Sequence, residues 1–353
     1  MGFPTFYKLT EDHGFIPSFI HVNKKHKLLV DFKPFAYSYG YGISIECSTN
    51  KEEYTRAIAM KFVERFGHFA HVTFVNDGKI LEDHPKYEES CKRKAQREKQ
   101  QSDVDSYKRV KTCASDDNVE VKNENPQRWT GPEDVFGETT VVSELVQKEN
   151  AEQCEKKERA ARGVSYEDCV QILEILKTYS NFKCVQCVYG EADPVLIFMS
   201  KNFDFVLSED SDLLIGGVEN LLRGFCTAKQ RLYCTLGILK CLKITKLQLQ
   251  TIALVAGCDY KKTKIQGMGV KNAYLLIRKY GDCATMIQQP EFQQKSKFKT
   301  PPNLMEHLKD ALCLYNPDDK MMTKLLCLPK EKSADEHYHQ FEEVEELNEG
   351  QTQ

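Results

Sequence analysis

Residues 203–217 read FDFVLSEDSDLLIGG, and the rest of the chain is organised around them. Phe203, Phe205, Val206 and Leu207 form an apolar run that stops at Ser208, and three acids follow at once, Glu209, Asp210 and Asp212. A second apolar run, Leu213-Leu214-Ile215, closes on Gly216 and Gly217. Buried strands end this way when their carboxyl edge carries chemistry, because ligands of open α/β sheets sit in the crevice beyond the strand C-termini. Carboxylates crowded there repel one another unless a cation lies among them. Taken alone, the stretch reads equally well as a solvated acidic turn. The deciding question is whether other acids are sent to the same place.

Three further apolar runs end in acids. Lys27–Val30 (KLLV) runs into Asp31. His71–Val75 (HVTFV) is followed by Asp77, with Gly78 allowing a tight turn. Phe182–Val188 leads to Gly190-Glu191-Ala192-Asp193, and Pro194, whose fixed φ suits a helix start, opens an apolar helix. Helices fall between the strands. Asn50 caps one running from Lys51 to Phe66, in which Tyr54, Ile58, Phe62 and Phe66 recur every four residues, and Gly67 stops it. Ser165–Tyr179 carries the apolar stripe Cys169, Ile172, Leu173, Leu176 and Tyr179. After Asp31 comes FKPFAYSYGYG, whose Pro34 and glycines are expected to exclude a long regular helix directly after the strand. Its aromatics Phe35, Tyr37, Tyr39 and Tyr41 read mainly as core, with base stacking as the alternative. Four acid-ended strands alternating with helices predict one crevice of carboxylates on an α/β fold with a twisted, mostly parallel sheet flanked by helices.

Past the sheet the pattern becomes helical. Thr245–Ala256 is apolar, and Gly257-Cys258-Asp259-Tyr260 ends it with another acid. Ile265-Gln266-Gly267-Met268-Gly269-Val270-Lys271 then leads into the helix NAYLLIRKYG. A Gly-x-Gly turn at a helix start can aim backbone N–H groups at a phosphate, and Lys271 adds a charge. That signal is weak alone; its place between two apolar helices, as in helix–hairpin–helix elements, strengthens it. Earlier, Lys86–Lys111 is basic without apolar periodicity. Lys86 and Arg93, seven apart, share a helix face, and Lys94 and Arg97 follow on adjacent turns; a solvated face is the alternative. Residues 101–160, polar and poor in aliphatics, are expected to be a largely disordered insert.

Composition sets the outer bounds. At 353 residues, 41% hydrophobic and 29% charged, the chain holds one large globular domain or a domain with an appendage. The net charge of −3 conceals an acidic tail: residues 331–353 carry eight acids against Lys332, which leaves residues 1–330 at +4. A mildly basic body permits a polyanionic partner. Fourteen cysteines are scattered, and the one close pair, Cys184 and Cys187, has no second pair at zinc-site spacing; reduced thiols are expected. With no signal peptide and no apolar run near 18 residues, an intracellular protein without a membrane partner is expected, and MGFPTF at the start lacks the Ser or Thr of a myristoylation site.

The order of these motifs resembles the structure-specific 5′ nucleases of the flap endonuclease/XPG family. The shared pieces are MGFPTF, LLVDF, FVNDGK with the basic stretch after it, GEAD, SEDSDLL and GCDY…GMGVKNA, in family order across residues 1–281. EAD with EDSDLL and GCDY is most similar to the exonuclease 1 branch, with the flap endonucleases proper next. The resemblance implies a PIN-like nuclease core with a helix–hairpin–helix subregion. It divides the chain into an N-terminal nuclease segment (1–100), the insert in the arch region (101–160), a second segment of the same core (161–244), the DNA-gripping helical region (245–285), a C-terminal packing segment (286–330) and the acidic tail (331–353).

Carried over by position, the resemblance places metal-binding acids at Asp31, Asp77, Glu191, Asp193, Asp210, Asp212 and Asp259, with Glu191, Asp193, Asp210 and Asp212 innermost. It implies two Mg²⁺ ions, with Mn²⁺ able to substitute, about 3.5–4 Å apart. Lys86 and Arg93 fall on the arch helix over the scissile phosphate. The loop from Asp77 to Lys86 is about two residues long for the pattern, which makes His84 or Lys79 the alternative to Lys86. Tyr37 falls where an aromatic stacks on a base near the cut, Gly2 at a buried N-terminus, and Gly267, Gly269 and Lys271 on a duplex-gripping hairpin where K⁺ is often held by main-chain oxygens.

Three departures stand out. DFKPF replaces the small residues usual after the first Asp, the insert enlarges the arch, and no sliding-clamp box is evident at the C-terminus. The expected activity is that of a Mg²⁺-dependent 5′→3′ exodeoxyribonuclease or flap endonuclease acting, as a monomer, on DNA with a 5′ end or flap next to duplex. The expected place is the nucleus, or the site of viral DNA replication for a viral protein, in repair, recombination or replication. An RNA-directed nuclease of the same fold and a non-catalytic nucleic-acid-binding module are the alternatives. The seven intact acids speak against the module, and the Gly267–Lys271 hairpin speaks against a pure RNA enzyme.

Overall fold

The computed structural model describes residues 6–43, 50–80, 163–225, 230–258, 261–294 and 298–326, with isolated positions between 82 and 106. Six strands form one sheet: β1 (Lys27–Asp31), β2 (His71–Asn76), β3 (Phe182–Gln186), β4 (Phe205–Leu207), β5 (Asn220–Arg223) and β6 (Arg231–Cys234). Their order is β3-β2-β1-β4-β5-β6, parallel throughout except that β6 runs antiparallel to β5. The expected α/β class and mostly parallel sheet are thus what the chain adopts. β5 and β6, short and without a clean alternation, carry no sequence pattern that marks them in advance.

The order reverses at β1. The chain lays β2 and β3 to one side and then returns to place β4 on the other, so β1 and β4 flank a topological switch point, where a crevice opens beyond the strand ends. The registers fix which residues border it: Asp31 lies opposite Val75, and Val30 opposite Leu207. Asp31, Asp77 and Ser208 therefore leave the sheet at the same edge.

Both faces of the sheet are covered, as parallel sheets require. Side chains alternate along β1, so Leu28 and Val30 enter one core while Leu29 enters the other. The first core packs the helices Phe32–Tyr41, Lys51–Phe66 and Tyr166–Leu176, with Phe32 stacked on Phe62 at 4.8 Å and Phe66 on Phe225 at 5.4 Å. The second holds the helices Phe6–Asp12, Asp193–Met199, Thr235–Leu242, Lys246–Ala256, Val270–Tyr280 and Leu304–Tyr315. No described helix is long and apolar enough to cross a membrane.

Helix ends follow the sequence signals. Asn50 accepts from the N–H groups of Glu52 and Glu53, and Ser165 and Thr245 each close a capping box, with Asp168 and Gln248 respectively. One expectation fails. Phe32–Tyr41 is a helix of ten residues beginning directly after Asp31. Pro34 is its third residue, within the first turn, where no N–H is needed for an intrahelical bond, so the missing donor costs nothing there. Gly40 sits inside the helix because a Cβ would meet Val164 Cγ2 at 2.8 Å as well as the Tyr54 hydroxyl. The glycine serves close packing of two helices rather than a break.

Candidate active site

Asp31 ends β1, is buried, and accepts a hydrogen bond at Oδ2 from the Ser208 hydroxyl at 2.6 Å. The same hydroxyl oxygen accepts from the main-chain N–H of Asp210 at 3.0 Å. Asp210 Oδ1 in turn accepts from the N–H of Asp212 at 2.9 Å. Asp212 opens the short helix Asp212–Gly216, is buried, and accepts the Tyr315 hydroxyl at Oδ2, 3.3 Å away. A continuous line of polar contacts thus runs from β1 across β4 to the C-terminal helical layer.

Asp77 stands on the other side of Asp31. Its Oδ1 accepts the N–H of Ala192 at 2.8 Å, and its Oδ2 faces the Lys33 ammonium at 2.8 Å. The Asp77 loop is tied to the Glu191 loop by Gly78 N–H to Gly190 O, Lys79 N–H to Val188 O and Gly190 N–H to Lys79 O. Gly78 is needed for that approach and not for the tight turn expected of it: a Cβ there would lie 2.6 Å from the Val188 carbonyl carbon. Gln186 Nε2 donates to the Asp77 carbonyl at 2.7 Å and fixes the loop from the third strand.

The charges of these groups are coupled. Burial pushes the Asp31 carboxyl up to about 8, with the Ser208 hydrogen bond opposing and the charges of Asp77 and Asp210 adding to the rise. Asp77 and Asp193 both act on Cys187, whose thiol, like that of Cys184, is pushed up to about 12, mainly by burial. Both cysteines are therefore protonated core or edge thiols at neutral pH and poor metal ligands. For Lys33, burial pulls downward, but the Asp77 charge and hydrogen bond outweigh it and leave the ammonium above its ordinary value.

Of the acids singled out from sequence, the charges of Asp77 and Asp210 both reach Asp31, Asp212 is joined to Asp210, and Glu191 and Asp193 flank Ala192, which binds Asp77. Gly2, His84, Lys86, Arg93 and Asp259 lie outside the described residues, as do most of 101–160 and the acidic tail. Among the described residues no three His, Cys, Asp or Glu side chains are grouped so as to hold one ion between them. Lys79 carries its ammonium 5.8 Å above the ring of Tyr166. Tyr37 is half-buried beside Gly163. Lys33, Ser208 and Tyr315 are the site residues that sequence reasoning missed; only Lys33 left a signal, a cation two positions past a strand-ending acid.

The hairpin is a separate piece of geometry. Ile265 N–H bonds to Val255 O, and Gln266 and Lys299 exchange main-chain bonds at 3.0 and 3.1 Å. Gly267 has φ +79°, a conformation that favours glycine. Gly269 caps the helix Val270–Tyr280, and among the described residues no atom beyond its chain neighbours lies within 4 Å of where its Cβ would stand. Lys271 is exposed on the first turn.

Comparison with known proteins follows the same residues. The XPG I-region family model matches residues 181–259, which include Glu191, Asp193, Asp210, Asp212 and Asp259. The chain is 27% identical over 165 residues to flap endonuclease 1 of Methanosarcina acetivorans, covering 41% of this chain and 48% of that one. It is 38% identical over 115 residues to flap endonuclease 1 of Enterocytozoon bieneusi, covering 31% and 32%. It is 25% identical over 223 residues to exonuclease 1 of Oryza sativa subsp. japonica, covering 56% and 26%. These matches span about half the length of the relatives or less. The I-region match and the relatives in both nuclease branches make the chain similar to the flap endonuclease/XPG family over the segment that carries Glu191, Asp193, Asp210 and Asp212.

Proposed function

We propose that the protein is a metal-dependent, structure-specific 5′ nuclease that hydrolyses DNA phosphodiesters at 5′ ends or 5′ flaps next to duplex. The observation that carries the reading is the convergence of Asp77 and Asp210 on Asp31, acids far apart in the chain, at the switch-point edge of a mostly parallel sheet. A sheet edge that buries one carboxyl until it titrates near 8, and adds the charges of two more acids beside it, is suited to a cation. The donor set is all carboxylate and hydroxyl oxygen, which fits a hard divalent ion and does not fit zinc.

Asp31, Asp77, Glu191, Asp193, Asp210 and Asp212, with Asp259, would hold two Mg²⁺ ions, or Mn²⁺ in their place. Ions held there would supply activation of a water for in-line attack and stabilisation of charge on the leaving oxygen. The chain's own residues do the rest. Ser208 holds the Asp31 carboxyl toward β4, the Ala192 N–H fixes the orientation of Asp77, and Tyr315 holds Asp212. Lys86 and Arg93 neutralise the scissile phosphate, and Tyr37 stacks on a neighbouring base. Gly267, Gly269 and Lys271 grip the duplex backbone, and main-chain oxygens of the hairpin would hold a K⁺ ion there. The open space at Gly269 supports that role, since packing against the protein does not account for the glycine.

In this reading residues 1–100 and 161–244 form the nuclease core, 245–285 the DNA grip, 286–330 a packing segment, and 101–160 and 331–353 its appendages. The protein acts as a monomer where DNA is repaired or copied, in the nucleus or at a viral replication site. The test compares cleavage of a 5′-flap duplex, a recessed 5′ end, a four-way junction and single-stranded RNA, in Mg²⁺ and in EDTA. The first two substrates are cut in Mg²⁺ alone, and Asp210→Ala and Asp212→Ala lose on the order of 10²–10³-fold in rate. Wild-type rates in Asp212→Ala, or cleavage of RNA alone, overturn the reading.

A further inference from the structure

Lys33 occupies an unusual place for a cation. It is the second residue of the helix Phe32–Tyr41, where the aligned peptide dipoles disfavour positive charge. Helical side chains lean toward the N-terminus, so its stem points back to the strand end from which the helix starts. There its ammonium meets Asp77 Oδ2 at 2.8 Å, across 44 positions of sequence. Asp77 has its other oxygen on the Ala192 N–H, so both are engaged.

The two partners of Asp77 differ in mobility. Ala192 N–H is part of the main chain at the start of the helix Asp193–Met199, in a loop tied by three further backbone bonds. Lys33 Nζ ends a flexible four-carbon stem, and its side chain is 40% exposed. A divalent ion on an oxygen of Asp77 repels the nearby ammonium, and of the two partners the lysine is the one free to leave.

We propose that Lys33 is a tethered counter-ion that competes with a divalent cation for the Asp77 carboxylate. It is a positioning residue: it keeps the Asp77 side of the carboxylate cluster neutral and ordered until metal arrives, and it sets how much metal is needed. The proposal rests on the metal-dependent reading of the site.

The experiment measures Mn²⁺ binding to the full chain, from the paramagnetic resonance signal of free Mn²⁺, without nucleic acid. Lys33→Met, neutral and of similar length, is expected to bind roughly tenfold more tightly than wild type, because it removes a charge-assisted partner of the ligand. Lys33→Arg, which keeps the cation, stays within about twofold of wild type. In an Asp77→Asn background the Lys33→Met change brings little further gain, which separates competition at Asp77 from a general lowering of positive charge. Thermal melting in EDTA checks that each variant folds. Equal or weaker Mn²⁺ binding by Lys33→Met overturns the proposal while leaving the metal site standing, as does an equal gain in the Asp77→Asn background. No Mn²⁺ binding by either wild type or Lys33→Met overturns the metal reading and the proposal with it.

Discussion

Ser208 donates its hydroxyl proton to Asp31 Oδ2 at 2.6 Å while its oxygen accepts the Asp210 N–H at 3.0 Å, so one side chain ties the carboxyl ends of β1 and β4 together. It does so at the point where strand order reverses, and it brings together the buried Asp31 and the half-buried Asp210, which are 179 positions apart. The cluster's behaviour with pH follows from that placement.

Asp31 titrates near 8 instead of at its ordinary 3.8, first through burial and then through the charges of Asp77 and Asp210. The unfolded chain releases this proton at the ordinary value, whereas the native protein keeps it to about 8, so the native state binds more protons between the two. Its contribution to stability is complete below the unfolded value and is lost as pH rises through 8. The metal-free protein should therefore lose stability across that window, and Asp31→Asn, neutral at every pH, should flatten the loss. Urea denaturation in EDTA at a series of pH values between about 5 and 9 checks this. Parallel curves for wild type and Asp31→Asn would falsify the assignment.

Gly78→Ala places a methyl group 2.6 Å from the Val188 carbonyl carbon and 2.7 Å from that of Tyr189, both main-chain atoms that cannot rotate away. The loops carrying Asp77 and Glu191 must then separate. A loss of about 1–3 kcal/mol is expected, together with weaker divalent-ion binding. Chemical denaturation and metal titration read the two effects. A variant as stable as wild type would show that the loops part freely.

At the hairpin the opposite holds for the fold. Among the described residues Gly269→Ala meets no atom beyond its chain neighbours within 4 Å, so its stability should stay within about 0.5 kcal/mol of wild type. Duplex binding should weaken if, as proposed, the added methyl stands where a phosphate backbone approaches. Lys271→Ala should weaken binding to duplexes of any sequence and lower the salt dependence by about one unit of slope. Fluorescence anisotropy across a salt series makes both measurements. An unchanged slope for Lys271→Ala rules out a phosphate contact there.

Much of the fold could be read from local pattern, and the exceptions have physical causes. Asn50, Phe66 and Gly67 mark their helix because capping and 3.6-residue periodicity act within a few residues. The helix after Asp31 was not legible, since the effect of Pro34 depends on which turn of the helix it occupies. Gly40 and Gly78 look like breakers and prove to be close-contact positions, which depends on side chains and main chain brought in from elsewhere. Strands β5 and β6 are four residues each, too short for an alternation to declare itself.

By itself the sequence determined that acids follow successive apolar runs, because each run and the carboxylates after it lie close together in the chain. It also carried the order of motifs that resembles the flap endonuclease/XPG family. Only the tertiary structure decided that β4 returns to the far side of β1, which sets Asp31 beside Ser208 and Asp210, and that Lys33 reaches Asp77. Strand order and long-range pairing arise from packing two cores on one sheet, and no window of the chain contains both partners of such a contact.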